Sequence, residues 1–93
     1  MPIDWDKLRL FHAVASAGSF TEGARRLKLS QPALSRQIIA LEEAIGAKLF
    51  HRHARGRALT DEGEQLRSTT ARMADEIERT RSSIEATRNR PTG

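Results

Sequence analysis

The chain contains no cysteine. Disulfides and thiolate metal sites are therefore excluded, and nothing points to an oxidising, secreted setting. Aromatic residues make up only 4% of the sequence, one Trp and three Phe, too few for a surface that binds single strands by stacking bases on rings. No apolar run approaches the length of a membrane span, and the first ten residues, MPIDWDKLRL, are charged and lack the apolar core of a signal peptide. No membrane partner is expected, and the expected location is cytoplasmic, with the nucleoid. There is no internal repeat and no low-complexity segment. Of the three histidines, His51 and His53 could share a strand face, but no third metal ligand has clear spacing. No Ser-His-acid order, glycine-rich phosphate loop or paired catalytic carboxylate stands out, so no enzyme, metal or cofactor is expected.

What is present is positive charge in one place. The net charge is +4. Residues 1–20 are neutral, with two Lys/Arg and two acids. Residues 21–60 hold eight Lys/Arg against Glu22, Glu42 and Glu43, a net +5, and residues 61–93 hold six Arg against seven acids, a net −1. A cluster of this kind is what a polyanion-binding surface requires. At 93 residues the chain is one small domain with, at most, an appendage.

The middle of the basic segment carries the clearest pattern. In Ser30–Ile45, SQPALSRQIIALEEAI, Leu34, Ile38, Leu41 and Ile45 recur at helical spacing and must face a core. Ser30 suits an N-cap, Pro32 is tolerated in a first turn, and Gly46 suits a C-terminal cap. Gln31, Ser35 and Arg36 form an outward face without an acid. Gln pairs bidentately with adenine, Arg pairs with guanine or phosphate, and a helix N-terminus attracts phosphate. Ser30, Gln31, Pro32, Ser35, Arg36 and the neighbouring Gln37 are the candidate DNA contacts of this helix.

The flanking segments give that helix a context. Residues 4–17 read as a first helix, with Leu8, Phe11 and Ala15 on one side, widened by Leu10 and Val14. Trp5 is expected to pack at its start, and Gly18 ends it. Ser19-Phe20-Thr21-Glu22 is a capping box, with Glu22 able to reach back to the cap amide. A short helix follows over 20–27 with Phe20, Ala24 and Leu27 inward, and small Ala24 permits a close crossing. Lys28 and Leu29 link it to Ser30, which makes a helix-turn-helix. Lys28 sits where such turns often have glycine, so a left-handed backbone there is costly. Lys48–Arg52 and Arg57–Leu59 read as two strands around a turn containing Gly56. This basic hairpin is a candidate wing, with Arg52, Arg55 and Arg57 set to grip phosphate or enter a narrow minor groove.

Thr60 caps a long helix from 61 to 89, with Asp61, Glu62 and Glu64 in its first turn, where the helix dipole favours them. Leu66, Thr70, Met73, Ile77, Thr80, Ile84 and Thr87 follow 3-4 heptad spacing. At about 43 Å such a helix is too long to bury its stripe on a small domain and needs a second chain. The expected organisation is a DNA-binding unit over residues 1–60, a dimerisation helix over 61–89, with Leu66, Thr70, Met73, Ile77, Thr80 and Ile84 at the interface, and a flexible tail over 90–93. A protein-interaction module built on the long helix, or a winged helix that binds nucleic acid without sequence choice, are the alternatives.

The run LRLFHAVASAGSFTEGARRLKLSQPALSRQIIALEEAIGAKLFHR, then Arg55 and ALTDEGE, strongly resembles the N-terminal DNA-binding domain of LysR-type transcriptional regulators. The specific markers are Ser30 to Gln37, the Leu49-Phe50-x-Arg52 step and the Leu59-Thr60-x-x-Gly63 step. The resemblance implies a mainly α fold: a winged helix-turn-helix with a two-stranded β wing, followed by a linker helix. It also implies pairing of two linker helices into an antiparallel homodimer, tetramers in full-length proteins, and double-stranded DNA carrying an interrupted palindrome as the partner. Gln31, Pro32, Ser35 and Arg36 would then face the major groove, Arg52 the DNA backbone and Arg55 the minor groove. The family's effector-binding domain follows these residues, so no small-molecule effector site is expected within them.

Overall fold

The computed structural model describes residues 3–51 and 58–90. They form four helices: α1 (Trp5–Ala17), α2 (Phe20–Leu27), α3 (Gln31–Ile45) and α4 (Asp61–Arg88). Each begins at a side-chain cap that meets an amide lacking a helical partner. Asp4 accepts from Asp6 N, Ser19 from Glu22 N, Ser30 from Ala33 N and Thr60 from Gly63 N. Gly18 and Gly46 close α1 and α3 in the left-handed conformation, at φ 80° and 86°. Lys28 does the same for α2 at φ 58°, the one non-glycine residue with positive φ among those described. That conformation costs an L-residue about 1–2 kcal/mol. It is sustained because Leu29 N then reaches Ala24 O at 3.0 Å and turns the chain directly into α3.

The core lies where α1, α2 and α3 meet. Phe11, Leu34, Ile38, Leu41 and Leu49 are almost wholly buried, with Val14, Leu10, Phe20 and Ala24 around them. Phe50 closes this core, its ring 5.5 Å from Phe11 and 5.0 Å from Phe20, tilted or edge-on as aromatic quadrupoles prefer. Gly23 permits the α1–α2 approach, since a Cβ there would lie 2.9 Å from Val14 Cγ2. Gly63 does the same for α4, where a Cβ would collide with the Leu49 carbonyl and meet Leu59 Cδ2 at 2.9 Å.

Three expectations need correction. Trp5 begins α1 but is 70% exposed, lining an open groove with Met73 and Ile77 of α4 rather than entering the core. Glu22 does not return to the Ser19 amide; its carboxylate turns to Arg25 and Arg26 instead, and Gly23 N bonds the Ser19 carbonyl. Among the described residues the expected strands reduce to one antiparallel bridge, Phe50 with Leu59. It is flanked by His51 N to Ala58 O at 2.6 Å and Thr60 N to Leu49 O at 3.0 Å. Arg52, His53, Arg55, Gly56 and Arg57 lie outside the described residues.

Helix α4 packs on α1 through its first half and continues past the domain. The whole measures 61 × 27 × 20 Å with a radius of gyration of 16.0 Å. A compact chain of this length has about 12 Å, and the excess is the free half of α4. No helix among the described residues is long and apolar enough to cross a membrane.

Candidate nucleic-acid interface

Helix α3 is fixed from behind. Leu34, Ile38 and Leu41 are buried and Ile45 packs against the same core, so the opposite face is held rigidly outward. On that face Gln31, Pro32, Arg36 and Gln37 are exposed and Ser35 is half-buried. Ser30 is exposed too, with its oxygen engaged by Ala33 N at 3.2 Å and its hydroxyl proton available. There is no acid in the first turn. The Gln31 amide donates from Nε2 to Thr21 Oγ1 on α2 at 3.2 Å.

Charge on the helix-turn-helix is partly spent internally. Arg25 Nε lies 2.9 Å from Glu22 Oε2 and Arg26 Nε 3.3 Å from Glu22 Oε1. The Arg25 hydrogen bond, above all, holds the Glu22 carboxyl down at about 2. Arg36 and Lys28 form no ion pair or hydrogen bond through their side chains among the described residues, so both cations face solvent unneutralised. Lys28 lies three residues before α3 and Arg36 is its sixth residue, and the free amides at the α3 N-terminus add positive potential.

The path toward residues 52–57 is fixed by a residue that sequence reasoning missed. Glu42, which by sequence is only one acid opposing the basic excess, is 7% exposed. Its Oε2 accepts from Leu49 N at 2.8 Å and Phe50 N at 3.4 Å, and Lys48 Nζ lies 3.9 Å from Oε1. Its backbone carbonyl accepts from Gly46 N and Ala47 N at 2.7 and 3.2 Å. One residue thus ties the end of α3 to the chain that leads out at His51. Thr60 secures the return: its hydroxyl donates to Lys48 O at 2.6 Å and accepts from Gly63 N at 3.0 Å. Spacing gave no sign of Glu42, because its partners are backbone amides.

The α4 stripe divides. Leu66 packs against the core of its own chain and Thr70 is buried there, its hydroxyl bonded to Arg67 O at 3.2 Å. Met73 is half-buried beside Trp5, Leu8 and His12 in a groove between α1 and α4. Ile77 and Ile84 are 70% and 62% exposed, and Thr80 between them is exposed. Around them Arg79–Glu76 and Arg81–Glu78–Glu85 pairs cover the flanks of the helix. Among the described residues no three His, Cys, Asp or Glu side chains gather as a metal site would need.

Comparison with known proteins places this arrangement. TfdT, an HTH-type transcriptional regulator of Cupriavidus pinatubonensis, is 57% identical over 58 residues, covering 62% of this chain and 25% of its own length. AmpR, a transcriptional activator of Providencia stuartii, is 46% identical over 71 residues, covering 76% of this chain and 24% of its own. The chain thus spans about a quarter of the length of these curated relatives. The crystal structure of the BenM DNA-binding domain with catB site 1 DNA superposes with a TM-score of 0.83 at 31% identity. It covers 96% of this chain and 100% of that one. The pattern of the bacterial regulatory helix-turn-helix proteins of the lysR family matches residues 5–64. From the first turn of α1 through the first turn of α4, this chain belongs to the lysR family of bacterial regulatory helix-turn-helix proteins.

Proposed function

We propose that this chain is the DNA-binding part of a transcription regulator that reads double-stranded DNA by sequence. Helix α3 enters the major groove with Gln31, Ser35 and Arg36 toward the bases and Ser30, Pro32 and Gln37 at its edges. Residues 52–57 form a wing whose Arg52, Arg55 and Arg57 meet the backbone and minor groove. Residues 1–60 act as the reading unit and residues 61–89 as the dimerisation helix. Two copies joined through α4 place two α3 helices on an interrupted palindrome, because one helix alone reads too few bases.

The observation that carries this reading is the acid-free outward face at the start of α3, with the cations Arg36 and Lys28 nearby in sequence and without an ion-pair partner among the described residues. The DNA complex of the similar BenM domain supports it. The test is selection of bound duplexes from a random pool by gel shift, followed by sequencing. An enriched interrupted palindrome is the expected result. Retention without enrichment would leave a general duplex binder, and no retention at moderate salt would leave a protein-interaction module.

A further inference from the structure

Thr21 stands at the second position of α2 and Gln31 at the first of α3, and the only bond between their side chains runs from Gln31 Nε2 to Thr21 Oγ1 at 3.2 Å. Both side chains are exposed, and neither has another side-chain partner among the described residues. A carboxamide has two N–H donors and one carbonyl acceptor, and its faces differ only by which end points where. We propose that Thr21 is a positioning residue that orients the Gln31 amide so that it selects adenine; this rests on the reading of α3 as the major-groove helix.

With one N–H held by Thr21, the outward edge of the amide offers the second N–H beside the carbonyl oxygen. Adenine presents an acceptor at N7 and a donor at N6 in the major groove, which complements that edge. Guanine presents two acceptors, O6 and N7, and the carbonyl oxygen would face one of them unpaired. The reverse orientation, with the Thr21 hydroxyl donating to Oε1, would turn the NH₂ group outward and select guanine. Thr21 holds its oxygen on a β-branched side chain restricted at χ1. Pro32, directly after Gln31, narrows the backbone from which the glutamine projects.

The test is sequence selection by the 93-residue chain and by Gln31→Ala, Thr21→Val and Thr21→Ser. Gln31→Ala identifies the base pair read by Gln31 as the one whose preference it loses. There the wild type should favour adenine about tenfold over guanine. Thr21→Val, of the same shape without the hydroxyl, should lower that preference to about twofold, leave the preferences at other positions intact and keep the thermal midpoint. Thr21→Ser should restore it. An unchanged preference in Thr21→Val overturns the role of Thr21 alone, as does a wild-type preference for guanine. If Gln31→Ala selects the same site as wild type, Gln31 reads no base and the proposal falls, while duplex reading survives. If the wild type enriches nothing, both fall.

Discussion

Among the described residues, Arg36 and Lys28 are both exposed cations whose side chains have no ion-pair or hydrogen-bond partner, but they differ in what their backbone asks of them. Arg36 sits in regular helix, so its replacement leaves the fold alone and reports on binding. Arg36→Ala should cost about 1–3 kcal/mol of specific affinity where the guanidinium pairs with a base. Binding to random duplex should fall less, as competition gel shifts would show. Equal binding of wild type and variant on both duplexes would remove Arg36 from the interface. Lys28 holds φ 58°. Lys28→Gly removes the Cβ clash but adds unfolded-state freedom. Urea unfolding should show a gain of up to about 1 kcal/mol, while the lost cation weakens binding and flattens its salt dependence by about 0.9 per phosphate contact. That cost was visible in the sequence, where a lysine occupies a position suited to glycine.

At the scale of elements, the joints hold more than the helices themselves. Glu42→Ala would leave the Leu49 amide, and the more weakly bonded Phe50 amide, buried without an acceptor. Each unmet amide costs about 1–3 kcal/mol, and Glu42→Gln, which keeps an acceptor, should cost less. Urea midpoints of the two variants against wild type would decide it. On α2, Glu22 is held at about 2 in the folded chain against an ordinary 4.5. Its contribution is therefore full above pH 4.5 and is lost as pH falls through 2, reduced in size because the group is solvent-exposed. The difference in thermal midpoint between wild type and Glu22→Gln should shrink as pH falls from 6 to 2. Helix boundaries were legible beforehand, since α1 to α4 each begin at Asp, Ser, Ser or Thr and the apolar period is unbroken in α3. Contacts made by backbone atoms were not. Glu42 answers amides seven and eight residues on. Gly23 matters only because Val14 lies across from it. Trp5 carries an apolar side chain that stays 70% exposed.

For the whole molecule, the governing fact is that α4 outruns its domain. Leu66 and Thr70 settle on their own chain and Ile77 and Ile84 stay in solvent, so a partner helix would meet only the far half of the stripe. Burying each of those isoleucines is worth roughly 1.5–3 kcal/mol, counted in both copies. Association costs about 4–15 kcal/mol, so such a pairing would be concentration-dependent. Ile77→Asp should sediment as a monomer at tens of micromolar where wild type is dimeric. It should bind a full palindrome no better than a half-site, with the circular dichroism of residues 1–60 retained. A wild-type monomer that makes no distinction between the two sites would refute the dimer. In a pair joined through α4, the seat of α4 on α1, at Leu8, Thr70 and Met73, would act as the pivot of a caliper. Fifteen residues beyond Met73 extend about 22 Å. A tilt of about 10° at the pivot swings the tip by about 4 Å, close to the 3.4 Å rise of one base pair. In such a pair, the span between the two copies of α3 would be set by Leu8, Thr70 and Met73 rather than by the residues proposed to meet DNA.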